Sequence, residues 1–304
     1  MSLNRLDLTY SLATGNTPLF INAGISSPES ISWDPVFDLE PEPGDSASDA
    51  EAFAAQIRDP RLATVFRDLR GVAEAANARV ARGARVPGVP FRRTISAAQA
   101  RLLLLRGGLT DVADECLRLG LLAFLSVAMF QSPATYRGSL HALAYARDPS
   151  QDRGSVHHHQ KQQQQHENAS PAVAGGTRSR TSLVAGRHDE SQDRRRMHIA
   201  SQLRDVCRAV EPSDPHLRRL LFWVLTVAAM SVFDVGEEPW LVGKWAHVAG
   251  EMETATHLLP SSSWDAARAE LRRVIWIDPI LDAPGRKLYA RLATHLATTS
   301  RTGS

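Results

Sequence analysis

The sequence of 304 residues contains very little cysteine, with thiols only at Cys116 and Cys207. Two thiols are too few for a disulfide scaffold or for a structural zinc site built from several thiolates. Both lie in apolar stretches that are typical of buried free thiols, which favours a reducing compartment. The overall composition, with 43% apolar and 22% charged residues, is otherwise that of a globular protein.

Long hydrophobic runs are missing as well. The two longest, 120–130 and 220–233, fall short of the roughly 20 residues that a helix needs to cross a bilayer. The first ten residues lack the apolar segment and small-residue cleavage site of a secretory signal. The sequence therefore predicts no transmembrane helix, and we expect the chain to stay inside the cell.

Basic residues are absent from a long N-terminal stretch. Between Leu6 and Ile57 there are nine acidic residues and no lysine or arginine, although the whole chain has a net charge of +2. The proline, glycine, serine and aspartate residues of 26–49 oppose regular structure. Residues 1–50 are therefore predicted to form a disordered acidic tail.

Strand-type alternation is not seen either, and from about Asp59 the spacing of apolar residues is helical, apart from residues 148–196. In 51–147, helices are predicted from Asp59-Pro60 to about Ala81, over 96–106, from Thr110 or Asp111 to about Ala128, and over 136–147, with a loop at 82–90. In 197–297, helix starts are predicted at Asp214-Pro215, at 237–239, at Ser262 or Ser263, and at Asp282 and Pro284. The predicted fold class is all-α.

The two helical blocks are separated by residues 148–196, which contain histidine and glutamine runs and almost no large apolar residue. Such a segment cannot bury enough surface to offset its ordering entropy, so it is predicted to be a disordered insertion, and 298–304 a disordered tail. We interpret the blocks 51–147 and 197–297 as halves of a single multi-helix domain. The helices around Cys116 and Trp223 are apolar nearly all round and need several neighbours.

Local catalytic motifs are also missing. There is no phosphate-binding loop, no dinucleotide-binding glycine motif, no His-Glu-x-x-His and no Gly-x-Ser-x-Gly. The acid pairs Asp111 with Asp114 and Glu251 with Glu253, and the histidine run 157–159, are alternatives for binding a metal, but solvated side chains are the simpler interpretation. The sequence therefore predicts no catalytic residue, no cofactor and no metal site.

An ordered set of features in the helical region resembles a known family. The features are ECLRLGLLAF at 115–124, LLFWVL at 220–225, the small residues 228–230, Trp240, Ser263-Trp264, LRRVIWID at 271–278 and Leu288-Tyr289. Together they are similar to the C-terminal helical regulatory domain of fungal Zn2Cys6 transcription factors. The resemblance covers roughly 59–295, interrupted by the insertion.

This resemblance implies a nuclear regulator of transcription that contacts protein partners in the transcription machinery, with a small-molecule effector as a further option. The family's six-cysteine, two-zinc DNA reader is missing, so we expect no specific DNA binding by this chain alone. Either the sequence begins downstream of that cluster, or the chain is a relative without one. A helical enzyme with a carboxylate-bound metal and a helical adaptor unrelated to transcription are the alternatives. Arg178, Arg180 and the arginines of 194–196 have a loose bipartite spacing that suits nuclear import.

Within the acidic tail, Trp33, Phe37 and Leu39 are the candidate partner-binding residues. They are interleaved with acids, whose repulsion is expected to keep the segment solvated and its aromatic rings available. On a helical turn, Trp33 and Phe37 would share one face, which is how acidic activation segments dock. The alternatives are a tail without function, or one whose Trp33 folds back onto the helical domain.

The single-domain interpretation makes a first prediction. Deleting 151–192 should leave the thermal midpoint within a few degrees of the wild-type value, because the insertion is expected to contribute no packing. A larger fall would show that the insertion packs against the helices. Expressed separately, 51–147 and 197–297 should each fail to unfold cooperatively in calorimetry, and cooperative unfolding of both would indicate two domains.

Overall fold

The computed structural model describes residues 32–37, 51–84, 88–130, 199–256 and 263–302. In this part of the chain there are helices and connecting segments but no strand, which confirms the all-α class. The helices are α1 Pro60–Ala81, α2 Gly88–Leu104, α3 Val112–Phe130, α4 Pro215–Ser231, α5 Pro239–Thr256, α6 Trp264–Val274 and α7 Asp278–Thr302. A single helical turn at 51–54 and a helical segment at 199–209 are also present. The helix expected at 136–147 and the insertion 148–196 lie outside the described residues.

Side-chain caps explain several of the predicted helix starts. The Asp59 carboxylate accepts hydrogen bonds from the backbone amides of Arg61 and Leu62, at 2.8 and 3.3 Å, and Pro60 occupies the first turn of α1. Asp214 caps α4 in the same way. A proline costs nothing at such a position because its missing N–H would have no acceptor within the helix. Of the two candidates for α3, Asp111 is the cap, since it accepts from the Ala113 amide at 2.8 Å.

Two predicted starts are wrong, both because of proline. Helix α2 begins at Gly88 and includes Pro90, so the predicted loop at 82–90 is too long. Helix α7 begins at Asp278, and Pro284 lies inside it instead of opening it. A proline in the first turn and one in the interior look alike in the sequence, although only the interior one removes a hydrogen bond. Helix α7 also continues to Thr302, so the expected tail 298–304 is helical over 298–302.

Helix α4 lies at the centre of the described helices and packs against α3, α5, α6 and α7. The closest approach is at Gly120 on α3, where an added Cβ would lie 2.8 Å from Trp223 Cζ3 and 2.8 Å from Val224 Cγ2. The Trp223 ring is fully buried, and its Nε1 donates to the Ile275 carbonyl oxygen at 2.6 Å. One hydrophobic core thus contains residues from both 51–147 and 197–297.

The two cysteines lie in this core. Both are fully buried free thiols, as predicted, and their Sγ atoms are 4.0 Å apart. The hydrogen bond with Cys207 and burial away from water raise the pKa of Cys116 well above its ordinary value. A thiol held in its protonated form is a poor nucleophile.

In the described part of the chain, none of the helices has the length and apolar content that a membrane span requires.

The tight contact at Gly120 makes a second prediction. Gly120→Ala should lower the free energy of unfolding by about 1–3 kcal/mol, because the new methyl group forces Trp223 or Val224 out of its packed position. The matched control is Gly243→Ala on α5, where an added Cβ meets no atom within 4 Å. That variant should gain about 0.5–1 kcal/mol from better helix propensity. Urea denaturation measures both, and equal stabilities for the two variants would contradict the packing described here.

Candidate peptide-binding groove

Residues 32–37 form an irregular segment with a bend at Asp34, and this segment lies against α1 and α2. The contact surface of the helices is made by Arg61, Asp68 and Gly71 from α1 and by Phe91 and Arg101 from α2. We call this surface the groove. The spacing of 61, 68 and 71 places the three α1 residues on one side of that helix.

The floor of the groove is a buried ion pair. Asp68 and Arg101 are 3% and 5% exposed, and Arg101 Nη1 lies 3.2 Å from Asp68 Oδ2. Each partner also binds the backbone of residues 32–37. The Asp68 carboxylate accepts from the amides of Val36, at 3.0 Å, and Phe37, at 3.1 Å.

The guanidinium of Arg101 contacts the opposite kind of backbone group. Its Nη2 donates to the carbonyl oxygens of Ser32, at 2.6 Å, and Asp34, at 2.7 Å. The carboxylate accepts from amides and the guanidinium donates to carbonyls, and together they bind the bent main chain of residues 32–37. Such charge-assisted hydrogen bonds are roughly twice as strong as neutral ones.

Two aromatic side chains fill the ends of the groove. The Trp33 ring lies beside two guanidinium groups, with its centroid 5.7 Å from Arg61 Cζ and 5.8 Å from Arg101 Cζ. These are cation–π distances. The Phe37 ring makes an edge contact with Phe91, at a centroid separation of 6.1 Å and an angle of 81°. It also covers Gly71, where an added Cβ would be 2.6 Å from Phe37 Cδ1.

The electrostatics of the groove depend on the segment. Burial raises the pKa of Asp68, while the hydrogen bonds from the Phe37 and Val36 amides and the charge of Arg101 act in the opposite direction. A buried ion pair is costly unless its remaining hydrogen-bonding capacity is also satisfied. Here the backbone of 32–37 satisfies part of that capacity on both partners.

Two of the three predicted partner-binding residues lie in the groove. Trp33 and Phe37 are half-buried and pack against the hydrophobic core. For these two residues the structure shows the alternative in which Trp33 folds back onto the helices, while their role in binding a partner stays a prediction. Leu39 lies outside the described residues.

Sequence reasoning missed Asp68 and Arg101. One signal was available for Asp68, because it lies among the buried apolar positions of α1, between Val65 and Val72. A charge in the apolar stripe of a helix needs a buried partner. Nothing local identifies that partner as Arg101 on the next helix.

The candidate metal-binding acids have other partners. Asp111 caps α3 and forms an ion pair with Arg58 at 2.6 Å. Asp114 accepts from the backbone amides of Arg58 and Asp59, at 3.3 and 2.8 Å. Burial raises the pKa of Asp114 despite these bonds. Across the described ranges there is no group of three or more His, Cys, Asp or Glu side chains that could hold a metal ion.

These acids line a cavity of about 550 Å³ where the N-terminal ends of α3 and α4 come together. His216, in the first turn of α4, contributes to its wall and packs on Phe53 with ring centroids 4.3 Å apart. Burial lowers the pKa of His216 below its ordinary value of 6.5, and the charge of Arg219 acts in the same direction, against that of Asp214. The imidazole is therefore kept neutral in the folded chain.

Comparisons with protein-family models, with curated proteins and with solved structures find no match. The sequence features that resemble the fungal regulatory domain lie largely in the buried core of the structure. Trp223, Trp264 and Trp276 are all buried there, and Trp276 Nε1 donates to Asp282 at 2.8 Å. The groove, by contrast, is made by residues outside those features.

The buried histidine makes a third prediction. Between the lowered pKa of folded His216 and 6.5, the unfolded chain binds more protons than the folded chain, so the free energy of unfolding falls as the pH drops through this window. When the pH is lowered from about 7.5 to about 5.5, the free energy of unfolding should therefore fall less for His216→Gln than for the wild type. Urea denaturation at both values measures this. Identical losses in wild type and His216→Gln would contradict the prediction.

Proposed function

We propose that the protein is a regulatory and interaction module of the fungal Zn2Cys6 transcription-factor type, which acts in transcription through protein contacts. In this proposal it has no enzymatic activity, no zinc-cluster DNA reader of its own and a nuclear location. The observation that carries the proposal is the groove, because it binds an aromatic and acidic segment through main-chain hydrogen bonds. Main-chain hydrogen bonds are a recurring source of affinity when protein domains bind peptides.

The character of the bound segment supports the link to transcription. Residues 31–40 alternate large apolar side chains with acids, and the stretch from Leu6 to Ile57 carries no cation. Acidic activation segments are built in this way. The resemblance of 115–124, 220–230 and 263–289 to the fungal regulatory domain points in the same direction.

The buried ionisable groups support an interaction module more than an enzyme. Besides Asp68 and Arg101, the buried Arg70 donates to the Val274 carbonyl at 2.7 Å, and the buried Arg118 donates to the Leu102 carbonyl at 3.1 Å. These charges join one helix to another. The helical adaptor unrelated to transcription remains the second candidate, because the same groove would serve it equally well.

A reporter assay tests the proposed function and is our fourth prediction. Residues 26–51 fused to an unrelated DNA-binding domain should induce a reporter gene in yeast. Induction should be lost when Trp33 and Phe37 are both changed to Ala, since these rings would bury themselves in the partner. Ser32→Ala in the same fusion is the matched control and should retain induction.

Two outcomes would contradict the proposal. The first is the absence of induction by the unmutated segment. The second is exclusion of the fluorescently tagged full chain from the nucleus, which would favour the adaptor. Measuring both separates the activity of the segment from the location of the protein.

A further inference from the structure

The groove and a partner protein would compete for the same two side chains. Trp33 lies beside Arg61 and Arg101, and Phe37 lies between Phe91 and Gly71. Both rings are half-buried in these positions. A partner that takes Trp33 and Phe37 into its own surface therefore has to displace residues 32–37 from the groove.

The groove is matched to its segment at several independent points. Main-chain donors of 36 and 37 reach Asp68, and main-chain acceptors of 32 and 34 reach Arg101. The Phe37 ring can pack on α1 because residue 71 is a glycine and has no side chain. The three atoms nearest to a Cβ at Gly71 all belong to the Phe37 ring, at 2.6, 2.8 and 3.4 Å.

This geometry defines the kind of ligand that fits. The main chain must follow the bent course of 32–37, because the amides of 36 and 37 have to reach Asp68 and the carbonyls of 32 and 34 have to reach Arg101. The first and fifth residues must be aromatic, as Trp33 and Phe37 are. Asp34 between them is exposed, and its carboxylate accepts from Ser32 Oγ at 2.7 Å, so the groove accommodates a negative charge at this position.

Covalent connection favours the chain's own segment over an external one. Residues 38–50 join the docked segment to the helical turn at 51–54. A connection of this length gives an effective concentration at the groove on the order of millimolar. A peptide of the same sequence added at micromolar concentration would therefore be outcompeted.

We propose that the groove between α1 and α2 is a binding site for short peptides with aromatic residues at the first and fifth positions, and that residues 33–37 occupy it in cis and thereby withhold Trp33 and Phe37 from a partner. The binding site itself is independent of the proposed function. Only the withholding of an activation segment rests on it.

Gly71→Ala is the decisive variant, because its single methyl group would occupy the space that the Phe37 ring fills. In a helix, alanine is favoured over glycine by about 0.8–1 kcal/mol, so α1 should not be weakened. Gly243→Ala is the matched control, since it makes the same exchange in α5 where an added Cβ meets nothing within 4 Å. Asp68→Asn is a second variant, with Arg67→Ala as its control on the neighbouring exposed position of α1.

Docking is measured in the full chain by hydrogen exchange of the Val36 and Phe37 amides, which donate to Asp68. These amides should exchange at least tenfold faster in Gly71→Ala and in Asp68→Asn than in the wild type, as our fifth prediction. The Gly243→Ala and Arg67→Ala chains should exchange at the wild-type rate. Unchanged exchange in Gly71→Ala would overturn the proposal.

Binding in trans is measured with a fluorescein-labelled peptide of residues 29–40. The full chain carrying Trp33→Ala and Phe37→Ala has no aromatic ligand in cis, so it should bind the peptide at least tenfold more tightly than the wild type. Adding Gly71→Ala to that chain should abolish binding, and a peptide with both aromatic residues replaced by Ala should not bind. Equal binding by the wild type and the double variant would overturn the cis occupancy.

The reporter assay distinguishes the failure of this inference from the failure of the proposed function. With the full chain tethered to DNA, Gly71→Ala should raise reporter output above that of the wild type and of Gly243→Ala. If residues 26–51 alone induce the reporter but Gly71→Ala does not raise the output, the withholding is wrong and the proposed function stands. If exchange and peptide binding change as predicted but residues 26–51 do not induce, the binding site stands and the transcriptional function is wrong.

Discussion

The packing of the Trp223 ring against Gly120 is the contact on which the rest of the described structure depends. It lets α3 and α4 approach so closely that even one methyl group at Gly120 has no room, and it places the indole N–H within 2.6 Å of the Ile275 carbonyl oxygen. A buried indole N–H needs such an acceptor, because leaving it unpaired would cost about 1–3 kcal/mol. Trp223 therefore determines both the distance between two helices and the position of the turn at 275–277.

That turn connects the core to the groove. Asn77 on α1 donates from Nδ2 to the Trp276 carbonyl and accepts from the Asp278 amide through Oδ1, both at 2.8 Å. Arg70, two turns earlier on α1, reaches the carbonyl of Val274. These polar contacts hold one side of α1 against the end of α6. The side that remains carries Asp68, so the orientation of the groove follows from contacts made around the central tryptophan.

Much of the fold could be predicted from the sequence because the signals are local. Asp59-Pro60 and Asp214-Pro215 combine a capping carboxylate with a first-turn proline, and the structure confirms both helix starts. The positions of Pro90 and Pro284 within their helices could not be predicted, because they depend on which preceding residue begins the helix. The groove could not be predicted in the same way. Asp68 and Arg101 are 33 positions apart, and only the packing of α1 on α2 brings them to 3.2 Å.

The acidic and aromatic composition of the docked segment suits both binding in the groove and binding to a partner. Its main chain satisfies a buried ion pair that would otherwise keep unpaired donors and acceptors, so docking contributes more than the area of two rings. Its acidic residue Asp34 is exposed to solvent and therefore does not oppose release into water. Trp33 and Phe37 alone carry the large apolar surface, and each can be buried on only one protein at a time. A segment without the two rings would keep only the main-chain hydrogen bonds to Asp68 and Arg101. The balance between docking and release is therefore set by the same five residues, 33–37, that a partner would recognise.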